Sequence, residues 1–289
     1  MSGDTTTFDE VADRVWVARY RWFDVNVTLV GGSAGALVVD TYASGAAARE
    51  VVADLRQLTA APAVVGIVNT HEHFDHTFGN ATMLQAFGPL PVHAHEVAAA
   101  RTHAAGERIK AAYAADSDDP RRDEVLATDV VPADHTFATR AVVDLGDRQV
   151  DLVHPGRGHT GGDVVVRISG ADAVLAGDLV EESAPPSIGA DAYPLEWPRT
   201  LDRVLAMLGP ATVVVPGHGA VVDRAFVRRQ RTELGAVVDT IRRLHGRGVP
   251  PDHATDAAEW PWPREALTVA VQRGYAHLEP DRVASTTDG

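Results

Sequence analysis

Residues 69–80 read NTHEHFDHTFGN, and this loop decides how the rest of the chain is read. His71, His73, Asp75 and His76 fall within six positions of one another. The chain holds 13 histidines and no cysteine, so chance crowding is the competing explanation, and thiolate ligands are excluded. The apolar run AVVGIVN reads as a short buried strand that ends where the cluster begins. His71 and His73 are two apart, so an extended backbone points both the same way. Asp75 shares that parity, but a tight turn before a helix lets Asp75 and His76 address a second point.

Three later elements share this format. LVHPGRGHTGGD carries His159, AVLAGD carries Asp178 and TVVVPGHG carries His218. Each is an apolar strand, a glycine-containing turn and one metal-capable side chain. Strands set their C-terminal loops along one sheet edge, where such ligands can converge, and glycine lets the backbones approach closely. Imidazole and carboxylate without thiolate suit zinc, manganese or iron. Seven ligands are too many for one ion. They suit two ions sharing a bridging carboxylate and a bridging hydroxide.

Outward from the loop, the first block opens with the strand signals RVWVARY, VNVTLV and ALVVD. Helical spacing follows over 44–58, then a short helix over 80–87, the strand LPVHAHE and an alanine-rich helix over 97–113. The second block restarts with a hairpin about Gly146-Asp147 and the strands DVVVRIS and AVLAGDLV. Helices are expected over 197–208, 223–247 and 264–278. ALVVDT faintly echoes AVLAGDLV, each an apolar strand running into an aspartate. The expected organisation is one domain over 1–289, with pseudo-repeated halves at about 1–145 and 146–280 and a frayed tail at 281–289.

Composition narrows the class. With 289 residues, 45% of them hydrophobic, the chain can bury a sizeable core. A formal charge of −14 disfavours nucleic acid as a partner. The start MSGDTTTFDEVADRV lacks the basic and apolar regions of a secretory signal. No run approaches the length of a membrane span. A cytoplasmic protein acting on a small molecule, without a membrane partner, is expected.

HEHFDH matches the HxHxDH signature of the metallo-β-lactamase fold superfamily, and His159, Asp178 and His218 match the rest of its ligand set in order. The chain resembles that family from its first strands to the helix after His218. The resemblance implies an α/β fold, a four-layer αβ/βα sandwich with the metals at one sheet edge. It implies two zinc ions, with iron or manganese as alternatives. One would be held by His71, His73 and His159, the other by Asp75, His76 and His218, with Asp178 bridging. The implied activity is a metal-dependent hydrolase in which a bridging hydroxide, formed at a pKa of about 7, attacks a carbonyl carbon or a phosphorus. One metal would stabilise the oxyanion. Asp75 would be catalytic, orienting the hydroxide and carrying its proton to the leaving group.

Asp178 looks more like the glyoxalase II, lactonase, phosphodiesterase and alkylsulfatase branches than the cysteine-containing β-lactamases. DAYPLEWPRTLDRV before VVPGHG resembles stand-alone bacterial hydrolases of the family. Without a basic track for a polyanion, the expected substrate is a small ester, lactone, thioester or lactam. A mononuclear-iron persulfide dioxygenase, a phosphodiesterase and a non-catalytic binding protein on a retained fold are the alternatives. Trp22 and Phe23 sit where the family places a loop over the metals, with core packing as the competing reading. Arg157 is a candidate for a substrate carboxylate, or a solvent-facing turn residue. Residues 97–134 read as a lid or as a homodimer surface. His93 and His95 read as a strand end leading into a helix cap. Glu72 is expected to face solvent or to support a ligand, and Thr160 to support His159 or cap its turn.

Overall fold

The protein is described here from a computed structural model, covering residues 7–58 and 60–279. The frayed tail expected at 281–289 lies outside these residues. The chain runs β1 (Asp9–Ala12), β2 (Val15–Tyr20), β3 (Val25–Gly32), β4 (Gly35–Val39), α1 (Gly45–Gln57), β5 (Val64–Val68), α2 (Phe74–Thr77), α3 (Asn80–Phe87), β6 (Val92–His95), α4 (Glu96–Ala115), α5 (Arg122–Leu126) and β7 (His135–Phe137). It continues through β8 (Arg140–Asp144), β9 (Gln149–Val153), β10 (Val165–Ile168), β11 (Ala173–Glu181), α6 (Trp197–Met207), β12 (Val213–His218), α7 (Arg224–Gly246), α8 (Pro251–Ala254) and α9 (Thr268–Leu278).

The strands follow one hydrogen-bonded path, β7-β6-β5-β4-β3-β12-β11-β10-β9-β8, with β1 and β2 added beside β3. The path divides where β3 meets β12, since a single pair, Val25 opposite His218, joins them. Period-2 alternation then sorts the strand side chains into layers. Val15, Val17, Val30, Leu37, Val39 and Val68 pack with Leu152, Val166, Leu175 and Val215 into a core between the two half-sheets. Their neighbours Trp16, Ala18, Leu29, Val38 and Ile67 face the other way, onto α1 and α3. Val165, Val174, Ala176 and Val214 likewise face α6, α7 and α9. Helix, sheet, sheet, helix is the resulting order, the four-layer α/β sandwich that the resemblance implied.

Local chemistry places the helices. Ser44 caps α1, its hydroxyl accepting from the Ala47 N–H at 2.9 Å, and Ala47, Ala48, Val51, Val52 and Leu55 form the buried stripe. Asp223 caps α7 in the same way through the Phe226 N–H at 2.8 Å. The helix expected over 264–278 is divided. Residues Arg264–Ala266 form a 3-10 turn after the extended Pro263, and α9 begins only at Thr268. Among the described residues no helix is long and apolar enough to cross a membrane.

Candidate metal centre

The loop after β5 uses two backbone states. His71 precedes α2, and His73 is extended at φ −71° and ψ 150° as the residue before its first turn. Asp75 and His76 lie inside that turn. The change from extended to helical backbone separates the loop's donors into two directions. His71 and His73 meet His159 and Asp178 in one group, and Asp75 and His76 meet His218 in another, with the donor atoms of each group within 4.8 Å of one another.

Asp178 touches both groups. Its Oδ2 lies 3.3 Å from His159 Nε2 and 3.2 Å from His218 Nε2, and its Oδ1 lies 3.2 Å from His76 Nε2. The close approach depends on Gly217, because a Cβ there would fall 1.8 Å from Asp178 Oδ1. Asp178 Oδ1 and His71 Nε2 are nonetheless buried without a hydrogen bond.

Each histidine is anchored by its outward nitrogen. His71 Nδ1 meets Thr70 Oγ1 at 3.0 Å, and that hydroxyl donates to Asp40 Oδ2 at 2.8 Å. His76 Nδ1 meets Asp40 Oδ2 at 2.8 Å. His73 Nε2 meets Asp191 Oδ2 at 3.0 Å. His159 Nδ1 donates to the Ser187 carbonyl at 2.9 Å and His218 Nδ1 to the Phe23 carbonyl at 2.6 Å. A neutral imidazole protonated on the outer nitrogen presents a lone pair on the inner one. The inner nitrogens crowd together, His73 Nδ1 with His159 Nε2 at 2.8 Å and His76 Nε2 with His218 Nε2 at 3.2 Å. Lone pairs that close repel unless a cation or a proton lies among them. The orphaned atoms, the facing lone pairs and the all-nitrogen-and-oxygen donor set therefore fit a divalent metal.

The electrostatics of the protein without metal agree. Burial opposes charge on every one of these histidines. It prevails at His71, which is held well below its ordinary range, and at His159, which falls to about 4. At His218 burial is outweighed by Asp178 and Asp75, which push it up to about 10, and His76 rises for the same reason. Against its own burial, Asp178 is held well below the usual carboxylate range by His218 and His76.

Other sequence candidates fall in different places. Phe23 is 44% exposed and lines a cleft of about 360 Å³ over the centre, together with Phe74, Asp75, Asp178 and His218. Trp22 instead packs among Tyr42, Phe23 and Phe74 under the Arg121 guanidinium, and does not line the cleft. Arg157 lies outside the cleft lining, in a two-point ion pair with Glu196 (2.5 and 3.1 Å) over the Tyr193 ring. Glu72 does not face solvent. Its neighbours on both sides are donors pointing inward, so alternation sends it the other way, into protein, where it is 1% exposed and neither oxygen is hydrogen-bonded. Thr160 caps its own turn through Asp163 (2.7 Å). His95 caps α4, accepting from the Val97 N–H at 3.2 Å.

The residues that sequence reasoning missed mostly support the ligands. Asp40 had a signal, the strand-ending aspartate of ALVVDT. Its left-handed backbone, φ 61°, turns the carboxylate toward Thr70 and His76. Asp191, in the stretch DAYPLEW, had no signal that tied it to His73. Glu181, across from His218 on the adjacent strand, joins Asp178 and His218 in a third cluster. Burial and the nearby Asp178 raise its pKa to about 7.

A mixed α/β sandwich with histidines and carboxylates gathered at a sheet edge defines a class of metal-binding α/β proteins. The chain belongs to the metallo-beta-lactamase superfamily, whose family model matches residues 20–218. Members of that family are generally metal-dependent hydrolases. Among curated relatives, the metallo-beta-lactamase type 2 of Bacillus cereus is 37% identical over 84 residues, 28% of this chain and 33% of the relative. That of Bacteroides fragilis is 33% identical over 88 residues, 30% of this chain and 35% of the relative. The chain thus matches only about a third of the length of these relatives. A metallo-beta-lactamase from Pontibacter korlensis superposes with a TM-score of 0.61 at 25% identity, covering 80% of this chain and 99% of the other. The DIM-1 metallo-beta-lactamase shares the fold at 21% identity and a TM-score of 0.61, covering 80% of this chain and 96% of the other.

Proposed function

We propose that this chain is a dinuclear zinc hydrolase of small esters, lactones, thioesters or lactams, acting as one domain built from two related halves. The observation that carries the reading is the position of Asp178 between two sets of three donors. His71, His73 and His159 would hold one ion, Asp75, His76 and His218 the other, and Asp178 both. When bound, the two cations would lower the pKa of a water to about 7 and polarise a substrate carbonyl.

The chain's own residues supply the rest. Asp75 lines the cleft with its Oδ2 3.4 Å from His218 Nε2, placed to accept a proton from the attacking water and pass it to the leaving group. Phe23 and Phe74 give the cleft an apolar wall that excludes water from the reacting carbonyl. The relatives bear β-lactamase names, which keeps lactams in the range. An aspartate at position 178, in a chain without cysteine, favours the lactone and thioester end, nearer the glyoxalase II and lactonase branch.

The test is a panel of aryl esters, acyl-homoserine lactones, acyl thioesters, lactams and phosphodiesters. At least one carbonyl class should turn over, with activity lost on chelation and restored by zinc. Cleavage confined to phosphodiesters would overturn the substrate class and leave the metal centre standing.

A further inference from the structure

Beside the cleft lies a larger cavity of about 590 Å³, and His73, Phe74 and Ile109 line both. Its wall is α4, which presents Arg101, Ala105, Arg108 and Ile109 along one face. Arg101 and Arg108 are two turns apart, so their long side chains can close on one group from opposite ends. A Cβ at Gly161 would fall 2.9 Å from Arg101 Nη1, so the glycine leaves the space that this guanidinium occupies.

The two arginines are under-committed. Arg101 comes no nearer to Glu72 than 3.7 Å, and Arg108 no nearer to Asp191 than 3.9 Å, both beyond hydrogen-bond distance. Besides Glu72, Arg101 engages the Tyr193 hydroxyl. A third arginine of the cavity, Arg273, is already spent, giving Nε and Nη2 to the Ala192 carbonyl at 3.1 and 3.0 Å. Neither nearby carboxylate hydrogen-bonds the two arginines. Asp191 is bonded to His73 at 3.0 Å, and Glu72 is 1% exposed at the floor. On a chain of net charge −14, two guanidiniums with free donors beside the reaction centre stand out from the acidic surroundings. Guanidinium forks match planar carboxylates.

Taking the hydrolase reading as its basis, we propose that the substrate is an acid, its carboxylate held between Arg101 and Arg108 while its reacting carbonyl lies in the cleft beyond His73 and Phe74. Residues 97–115 then serve as the specificity wall of the site.

The test is calorimetric binding to the metal-loaded protein, using hippurate and its neutral match hippuramide. Hippurate should bind at least about tenfold more tightly, the scale of charge-assisted hydrogen bonds. In an Arg101→Gln/Arg108→Gln double variant the two should bind within about twofold of each other. If that variant does not fold, Arg108→Gln alone, at a side chain 64% exposed, should lose about threefold or more of the preference. Equal binding of the two probes by the unaltered protein, or no binding of either, overturns the proposal. So does a preference that survives the double variant, which would put the carboxylate on the metals. A phenylphosphonate that binds more tightly than hippurate, and depends on the same arginines, overturns the carboxylate assignment in favour of a phosphoryl group. Binding needs no turnover, so an acid-selective protein that hydrolyses nothing would sink the hydrolase and keep the pocket.

Discussion

Asn69 and Asn80, the first and last residues of the histidine loop, hold each other by two side-chain hydrogen bonds. Asn69 Nδ2 donates to Asn80 Oδ1 at 3.1 Å, and Asn80 Nδ2 donates to Asn69 Oδ1 at 2.8 Å. Thr41 and the His76 carbonyl join the same network, Thr41 Oγ1 reaching Asn80 Oδ1 at 2.9 Å. Both amides are buried, so the loop that carries four donors is closed at its neck by the protein's own side chains.

Asn80→Ala opens that neck, leaves Asn69 Oδ1 and the Val131 carbonyl without their donor, and leaves Asn69 Nδ2 with the His76 carbonyl at 3.3 Å. The expected cost is about 2–4 kcal/mol of stability, from one or two buried groups left unsatisfied. Denaturant unfolding of the metal-loaded protein measures it. A change of less than about 0.5 kcal/mol would mean that the network does not hold the loop.

Asp40→Ala removes the acceptor shared by His76 and Thr70, and through Thr70 the orientation of His71. Metal affinity should fall about 10–100-fold. Because Asp40 reaches one donor of each group, competition with a chromophoric chelator should show both ions weakened. Unchanged affinity for both would remove Asp40 from the centre.

The centre gives the metal-free protein an unusual pH profile. His159, with a folded pKa of about 4, loses relative stability as pH falls from its ordinary value near 6.5 through about 4, because the unfolded chain takes up the proton first. His218, with a folded pKa of about 10, contributes stability that is full below about 6.5 and is lost as pH rises through about 10. Chelator-treated protein should therefore melt lower as pH rises from about 6.5 toward 10, while on the acid side Glu181, raised to about 7, opposes the loss at His159. Metal loading should flatten the alkaline limb, since bound histidines no longer titrate. A melting temperature that climbs steadily from pH 6.5 to 9 without metal would contradict the electrostatics of the His76, His218 and Asp178 cluster.

The ligand pattern was legible because it is local. HEHFDH and three glycine-bearing apolar segments can be read without knowing how the strands are ordered, and the structure gathers those seven side chains, though Asp178 lies within β11 and His218 ends β12 where turns after the strands were expected. The layers were legible from alternation, as in Val15, Trp16 and Val17. The supports were harder to read. Asp191 reaches His73 from 118 positions away, and the Ser187 and Phe23 carbonyls act through backbone atoms that every residue possesses. Arg157 looked available because it stands two residues before His159. Its true partner, Glu196, comes from a remote segment that local spacing cannot show. Glu72 is buried by tertiary packing, with Arg101 of α4 3.7 Å from its Oε1, which local spacing does not show.

The most direct test of a dinuclear centre is elemental analysis of protein purified without added metal, alongside Asp178→Ala and His95→Ala. The expected result is two ions per chain, chiefly zinc, in the unaltered protein and in His95→Ala. Asp178→Ala should show clear loss at both sites, because the Asp178 carboxylate reaches His159 in one group and His76 and His218 in the other. One iron and no second ion would move the assignment to the mononuclear dioxygenase reading. No bound metal, even after zinc supplementation, would contradict the centre itself.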